Sequence, residues 1–195
     1  MRLLRKILSL LGFRVDFYID LDGTIADLYS HEDWYEKSLN DPDFYASLLP
    51  FYNFLSALRL IKIQYGPIVN MKALSAVLNE AKEPIMIAKD MWIDANCDFF
   101  DGRILCENGT CKADLIKNIS KKSILFDDYS QNCNEWLEKG GTSYKVYNGN
   151  NCRKGNWTGP VIYNQAPISE LYDALDEIIK NVLLSKKKIA LINTR

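Results

Sequence analysis

The hydrophobic positions of the chain alternate between two kinds of spacing. Val15 to Ile19, Val69 to Leu74, "GRILC" at 102–106, Ile124 to Phe126 and Tyr144 to Tyr147 are short, compact runs rich in β-forming residues. Such runs, bounded by polar and turn residues, predict buried strands. Between them the spacing turns helical. Two or three short helices fit the aromatic stretch from Asp27 to about Lys62, with breaks at the Asn-Asp-Pro near residue 41 and at Pro50. Further helices fit Pro84 to Asn96, 112–119, and "NCNEWLEKG", which ends at the Gly140-Gly141 pair. A last one starts near Pro167, where Ile168, Leu171, Leu175, Ile178 and Val182 mark one apolar face. Residues 148–160 read as one irregular, turn-rich loop. Strands alternating with helices predict an α/β fold with a mostly parallel sheet.

Two of the predicted strands run straight into acids. "FYIDLDGTIADL" places Asp20 and Asp22 directly behind the first strand, and "ILFDDYSQN" places Asp127 and Asp128 behind the fourth. A carboxylate at the edge of a core must be hydrogen-bonded, paired or metal-bound. In an open parallel sheet, ligands bind outside the carboxyl ends of the strands. If these strands are neighbours, four carboxylates converge on one crevice. Their repulsion calls for a cation, and oxygen-only ligands favour magnesium.

Composition narrows the alternatives. About half the residues are hydrophobic (48%) and a quarter charged (25%), which fits a soluble domain of this length with a sizeable core. A formal charge of −1 does not suggest a basic face for nucleic acid. Five cysteines without a CxxC pair and a single histidine, His31, argue against a zinc site or a histidine-based nucleophile pair. Free thiols point to a reducing compartment, and a cytoplasmic location is expected. The segment 1–14 is basic; an amphipathic helix packed on the domain is the default reading, and an organellar address the alternative. No stretch is long and apolar enough to predict a membrane span.

In order along the chain, "DLDGTIAD", "LSAVLN" at 74–79, Lys112 in "TCKADLI" and "ILFDDYSQN" resemble the four motifs of the haloacid dehalogenase superfamily of phosphotransferases. A closer resemblance, over roughly 16–162, is to its 5′(3′)-deoxyribonucleotidases. It is carried by "FYASLLPFYNFLSAL", "LSAVLN" and "ILFDDYSQNCNEWLEKGGTSYKVYNGNNCRKGNWTG". Asn70 and Lys72 depart from the more apolar second strand of that family.

The resemblance implies a Rossmann-like haloacid dehalogenase core over 15–28 and 63–195, with a small helical cap inserted after the first strand at 29–62. It implies a magnesium-dependent phosphomonoesterase of deoxyribonucleoside monophosphates. Asp20 would be the nucleophile, and Asp22 the acid and base, lending its backbone carbonyl to the metal. Asp20 and Asp128 would ligate magnesium directly, with Asp127 in support. Ser75 and the Ala76 amide would hold a phosphate oxygen, and Lys112 would neutralise the same group. Asn132 would either partner the acidic loop or cap the following helix. Trp34, Tyr35, Phe44 and Tyr45 either stack on a base or form the cap's own core; Trp34 is the choice for base contact. The expected partner is a small phosphomonoester, with room for a homo-oligomer. A phosphatase with another small ester, or a silent binding protein on this scaffold, are the alternatives.

Overall fold

The computed structural model describes residues 14–151 and 155–192, with side chains to residue 183. The expected basic helix therefore lies outside the described residues, apart from Arg14. Six parallel strands form one sheet: β1 (Val15–Ile19), β2 (Val69–Val77), β3 (Gly102–Glu107), β4 (Ser123–Asp127), β5 (Thr142–Tyr147) and β6 (Val161–Tyr163). Their spatial order is β3-β2-β1-β4-β5-β6, so β1 and β4 lie side by side where the chain reverses its direction across the sheet.

Residues alternate between the two faces as the pleat requires. Val15, Phe17 and Ile19 of β1, with Val69, Met71, Ala73, Ile124 and Phe126, join the larger core. That face is covered by helices α3 (Tyr52–Tyr65), α4 (Lys82–Asn96) and α6 (Ile168–Ile192). Tyr18, Leu74 and Leu125 point the other way, onto Trp136 of α5 (Ser130–Glu138) and Ala113. Two short helices, α1 (Trp34–Asn40) and α2 (Phe44–Ser47), lie between β1 and α3. They stop at the expected breaks, since Pro42 and Pro50 disfavour helix in the residues before them.

Several expectations are refined. β2 continues three residues past Leu74, so Ser75 and Ala76 are inside the strand. The helix expected over 112–119 is only a 3-10 turn, Lys112–Leu115, and Asn118 takes a left-handed φ of 60° that no continuing helix could hold. β6 follows directly on the turn-rich stretch and was not expected: three residues behind Pro160 are too short to show a period. Ile168 starts α6 on its exposed side, while Leu171, Leu175 and Ile178 are buried as the spacing predicts. α3 is longer than expected and packs along α6, where the Tyr65 hydroxyl donates to Asp176 at 2.5 Å. Asn70, out of place in an apolar strand, sits opposite Asp16 in the β1–β2 register and donates to its carboxylate at 2.7 Å.

Candidate active site

The register of β1 on β4 pairs Ile19 with Phe126, which brings the next residues, Asp20 and Asp127, level at the carboxyl edge. The Asp20 amide donates to the Phe126 carbonyl at 2.9 Å, locking that level. Beyond Asp20 the chain turns tightly: the Ile25 and Ala26 amides both return to the Leu21 carbonyl. Gly23 makes the turn with a φ of +72°, and a Cβ there would lie 2.5 Å from Asp128 Oδ2 and 2.7 Å from Asn148 Nδ2. Only glycine fits, by conformation and by space.

Asp20, Asp127 and Asp128 are buried, and each offers an oxygen within 4.8 Å of the others. Lys112, 3% exposed, donates to Asp20 Oδ1 and Asp127 Oδ2, both at 2.7 Å. Asp127 is fully engaged, because the Tyr129 amide and the Asn132 side chain also donate to it at 2.9–3.1 Å. Asn132 is thus a partner of the acidic loop. Asp20 Oδ2 and Asp128 Oδ1 take no hydrogen bond among the described residues.

The fifth participant escaped the sequence reading. Lys89 of α4 is 1% exposed and donates to Asp22 Oδ2 at 2.5 Å, to the Ala76 carbonyl at 2.5 Å and to Ser75 Oγ at 3.1 Å. Tyr45 lies below it, its ring centre 4.7 Å from the ammonium. The signal was present: Lys89 shares the buried face of α4 with Ile85, Trp92 and Ile93, and a lysine in an apolar stripe needs a buried partner.

Electrostatics follow from this burial. Desolvation raises the Asp22 carboxyl above the usual range, Lys89 pulling against it and Asp20 adding to it. Asp22 Oδ1 is buried with no hydrogen-bond partner among the described residues. Burial, and then the charges of Asp127 and Asp20, raise Asp128 well above its ordinary value. Desolvation pushes Asp127 up to about 6 despite Lys112. Burial alone would lower the Lys112 ammonium, but Asp127 and Asp20 outweigh it and hold it charged. Apart from the Lys89–Asp22 pair, three carboxylates (Asp20, Asp127, Asp128) share one ammonium group, Lys112, so ionising all three leaves two negative charges uncompensated. A divalent cation held by oxygen matches that deficit.

The acids open onto a crevice of about 370 Å³ lined also by Ala76, residues 108–112 and Asn132. Ser75 is fully buried behind it, and Ala76 reaches its wall. A second pocket of about 420 Å³ adjoins, sharing Tyr29, Asp128 and Tyr129, and adds His31, Trp34 and the buried Lys145. Trp34 packs edge-on to Tyr29 and Tyr35. Phe44 and Tyr45 belong to the core instead, and Tyr35 is exposed.

No protein-family model matches the chain. Nor does any curated protein sequence. Solved structures do. The D,D-heptose 1,7-bisphosphate phosphatase of Burkholderia thailandensis superposes with a TM-score of 0.57 at 12% identity, over 85% of this chain and 99% of its own. A haloacid dehalogenase superfamily hydrolase from Ehrlichia chaffeensis gives 0.52 at 11% identity, over 85% and 98%. The L-2-haloacid dehalogenase of Xanthobacter autotrophicus, with chloropropionic acid covalently bound, gives 0.51 at 12%, over 84% and 98%. At such identities the likeness is one of fold: the α/β, Rossmann-like architecture expected from the sequence is that of haloacid dehalogenase structures. Among the described residues no helix is long and apolar enough to cross a membrane.

Proposed function

We propose that the chain is a magnesium-dependent phosphomonoesterase, acting on deoxyribonucleoside monophosphates through an aspartyl-phosphate on Asp20. The observation that carries this reading is the placing of a buried lysine on each of the two carboxylates behind β1, one of them bridging to the end of β4. Lys112 holds Asp20 in an ionic frame, while Lys89 holds Asp22 by one oxygen and leaves the other buried and unpartnered.

In this reading an Asp20 oxygen attacks phosphorus, and the bond to the ester oxygen breaks. Asp22, its proton retained by burial, donates that proton to the leaving oxygen. Asp22 then takes a proton from water as that water attacks the aspartyl-phosphate, which frees phosphate and restores Asp20. Lys112 neutralises charge beside the nucleophile throughout. Asp20 and Asp128, with the Asp22 backbone carbonyl, would hold magnesium, and Asp127 supports them by fixing Lys112. When bound, magnesium would offset the repulsion between carboxylates and an anionic phosphate. Ser75 and the Ala76 amide hold a phosphate oxygen in the same proposal, the Ser75 hydroxyl turning from Lys89 to do so. Of the expected cap over 29–62, the part ahead of α3 acts as the cap, with Trp34 and Tyr29 as the apolar wall for the leaving nucleoside in the adjoining pocket.

Phosphate release from deoxyribonucleoside and ribonucleoside monophosphates and simple sugar phosphates tests this, with magnesium, with chelator, and in Asp20→Asn. Metal-dependent turnover of deoxynucleotides, reduced on the order of 10³-fold or more in Asp20→Asn, is expected. Turnover of other esters alone would keep the chemistry and move the substrate. A folded chain that turns over nothing would leave a silent scaffold.

A further inference from the structure

The acids come from β1 and β4, yet their placement also depends on two strands that carry none. Asn148, at the end of β5 and 3% exposed, donates from one side-chain nitrogen to the Gly23 carbonyl at 2.8 Å and to Asp128 Oδ2 at 3.2 Å. That nitrogen joins the turn behind Asp20 to the acidic pair behind β4. Its own oxygen accepts from the Asn150 and Asn151 amides at 3.0 and 3.2 Å, which fixes the side chain's rotation. Asn151 in turn donates to the Asp128 carbonyl at 3.0 Å and the Val146 carbonyl at 2.8 Å, and reaches Asp128 Oδ2 only at 3.5 Å, which leaves Asn148 the nearer donor to that oxygen. Asn164, behind β6, donates to the Thr24 and Gly23 carbonyls at 3.0 and 3.3 Å.

We propose that Asn148 is a positioning residue: by occupying Asp128 Oδ2 it turns Oδ1 toward Asp20 and sets the spacing between the two metal-ligating carboxylates. The inference rests on reading Asp20 and Asp128 as magnesium ligands. Its physical basis is that a carboxylate buried among like charges swings away unless one oxygen is pinned by a donor. Asn148 supplies that donor from a neutral amide, adding no charge to a cluster already in deficit.

The test is magnesium binding to the full chain by titration calorimetry, independent of turnover. Asn148→Ala removes the donor. Asn148→Ser leaves no atom where the amide nitrogen reaches Asp128, but its shorter hydroxyl can accept from the loop amides, so it guards the turn if the alanine variant does not fold. Each is expected to weaken magnesium binding about tenfold or more. Asn134→Ala, which cuts a nearby amide bond to Asn156 outside the site, is expected to leave it unchanged. In the parent chain, the Asn148 side-chain amide resonances should shift in step with magnesium occupancy. Unaltered affinity in a folded Asn148→Ser protein overturns the proposal alone. A parent chain that binds no magnesium overturns the metal reading, and the proposal with it.

Discussion

The acid-lined crevice and the aromatic pocket share a wall at Tyr29, Asp128 and Tyr129, yet they are built in opposite ways. The crevice is made largely of groups fixed by the sheet: strand register sets Asp20 against Asp127, the buried Lys112 cross-links those two acids, and the buried Lys89 ties Asp22 to β2. The pocket is made largely of irregular chain, with Tyr29, His31 and, at the start of α1, Trp34 on one side and Asn150, Asn151 and Gly155 on the other. In the proposed function the rigid half does the chemistry and the irregular half chooses the leaving group. Chemistry that fails when atoms move by about 1 Å belongs on strands. Recognition tolerates, and gains from, a variable surface.

This division can be broken from either side. The largest effect is expected in Lys112→Met, which strands Asp20 and Asp127 as buried, unpaired charges. Losing one partner of such a set costs about 3–5 kcal/mol. Thermal melting should show a fall of roughly 10 °C, partly recovered by added magnesium, together with loss of phosphate release. If melting were unaltered, the ionic frame would not be holding the crevice.

Lys89→Met should come next. The side chain keeps its volume in the buried face of α4 but releases Asp22, so kcat should fall about 100-fold while KM changes little. A fall in KM's favour alone, with kcat preserved, would detach Lys89 from the chemistry. Trp34→Ala should have the smallest effect, and only on one class of substrate. Nucleotide KM should rise about tenfold, as expected for the loss of one stacking contact, while turnover of a small phosphate ester with no base stays as it was. Equal losses on both substrates would mean that the pocket supports the crevice rather than selects the ester.

The same contrast explains what could be read without coordinates. β1 and β4 were legible because an apolar run ending in two acids has few physical explanations. That four carboxylates converge was conditional on the two strands being neighbours, which the sheet order supplies. The expected Lys112 does reach Asp20, although a 3-10 turn rather than a helix delivers it. Lys89 was overlooked because α4 reads as an ordinary amphipathic helix, and its one discordant residue was not weighed against the acids. Asn148, Asn151 and Asn164 gave still less warning. Asparagine in a turn-rich stretch is ordinary, and only tertiary geometry distinguishes a local cap from a long-range tie such as that from Asn164 to Thr24. For Phe44 and Tyr45 both roles stayed open, because aromatic content cannot separate a wall from a core; both are core.

All six strands run the same way, so the sheet has a working edge and a blank one. Val15 enters β1 at the blank edge, and the strand carries the chain about 16 Å, at ~3.3 Å per residue, before Asp20. A fluorophore or tether placed on the exposed Arg14 side chain therefore meets the sheet at its blank edge, and would report on the crevice only through the length of β1.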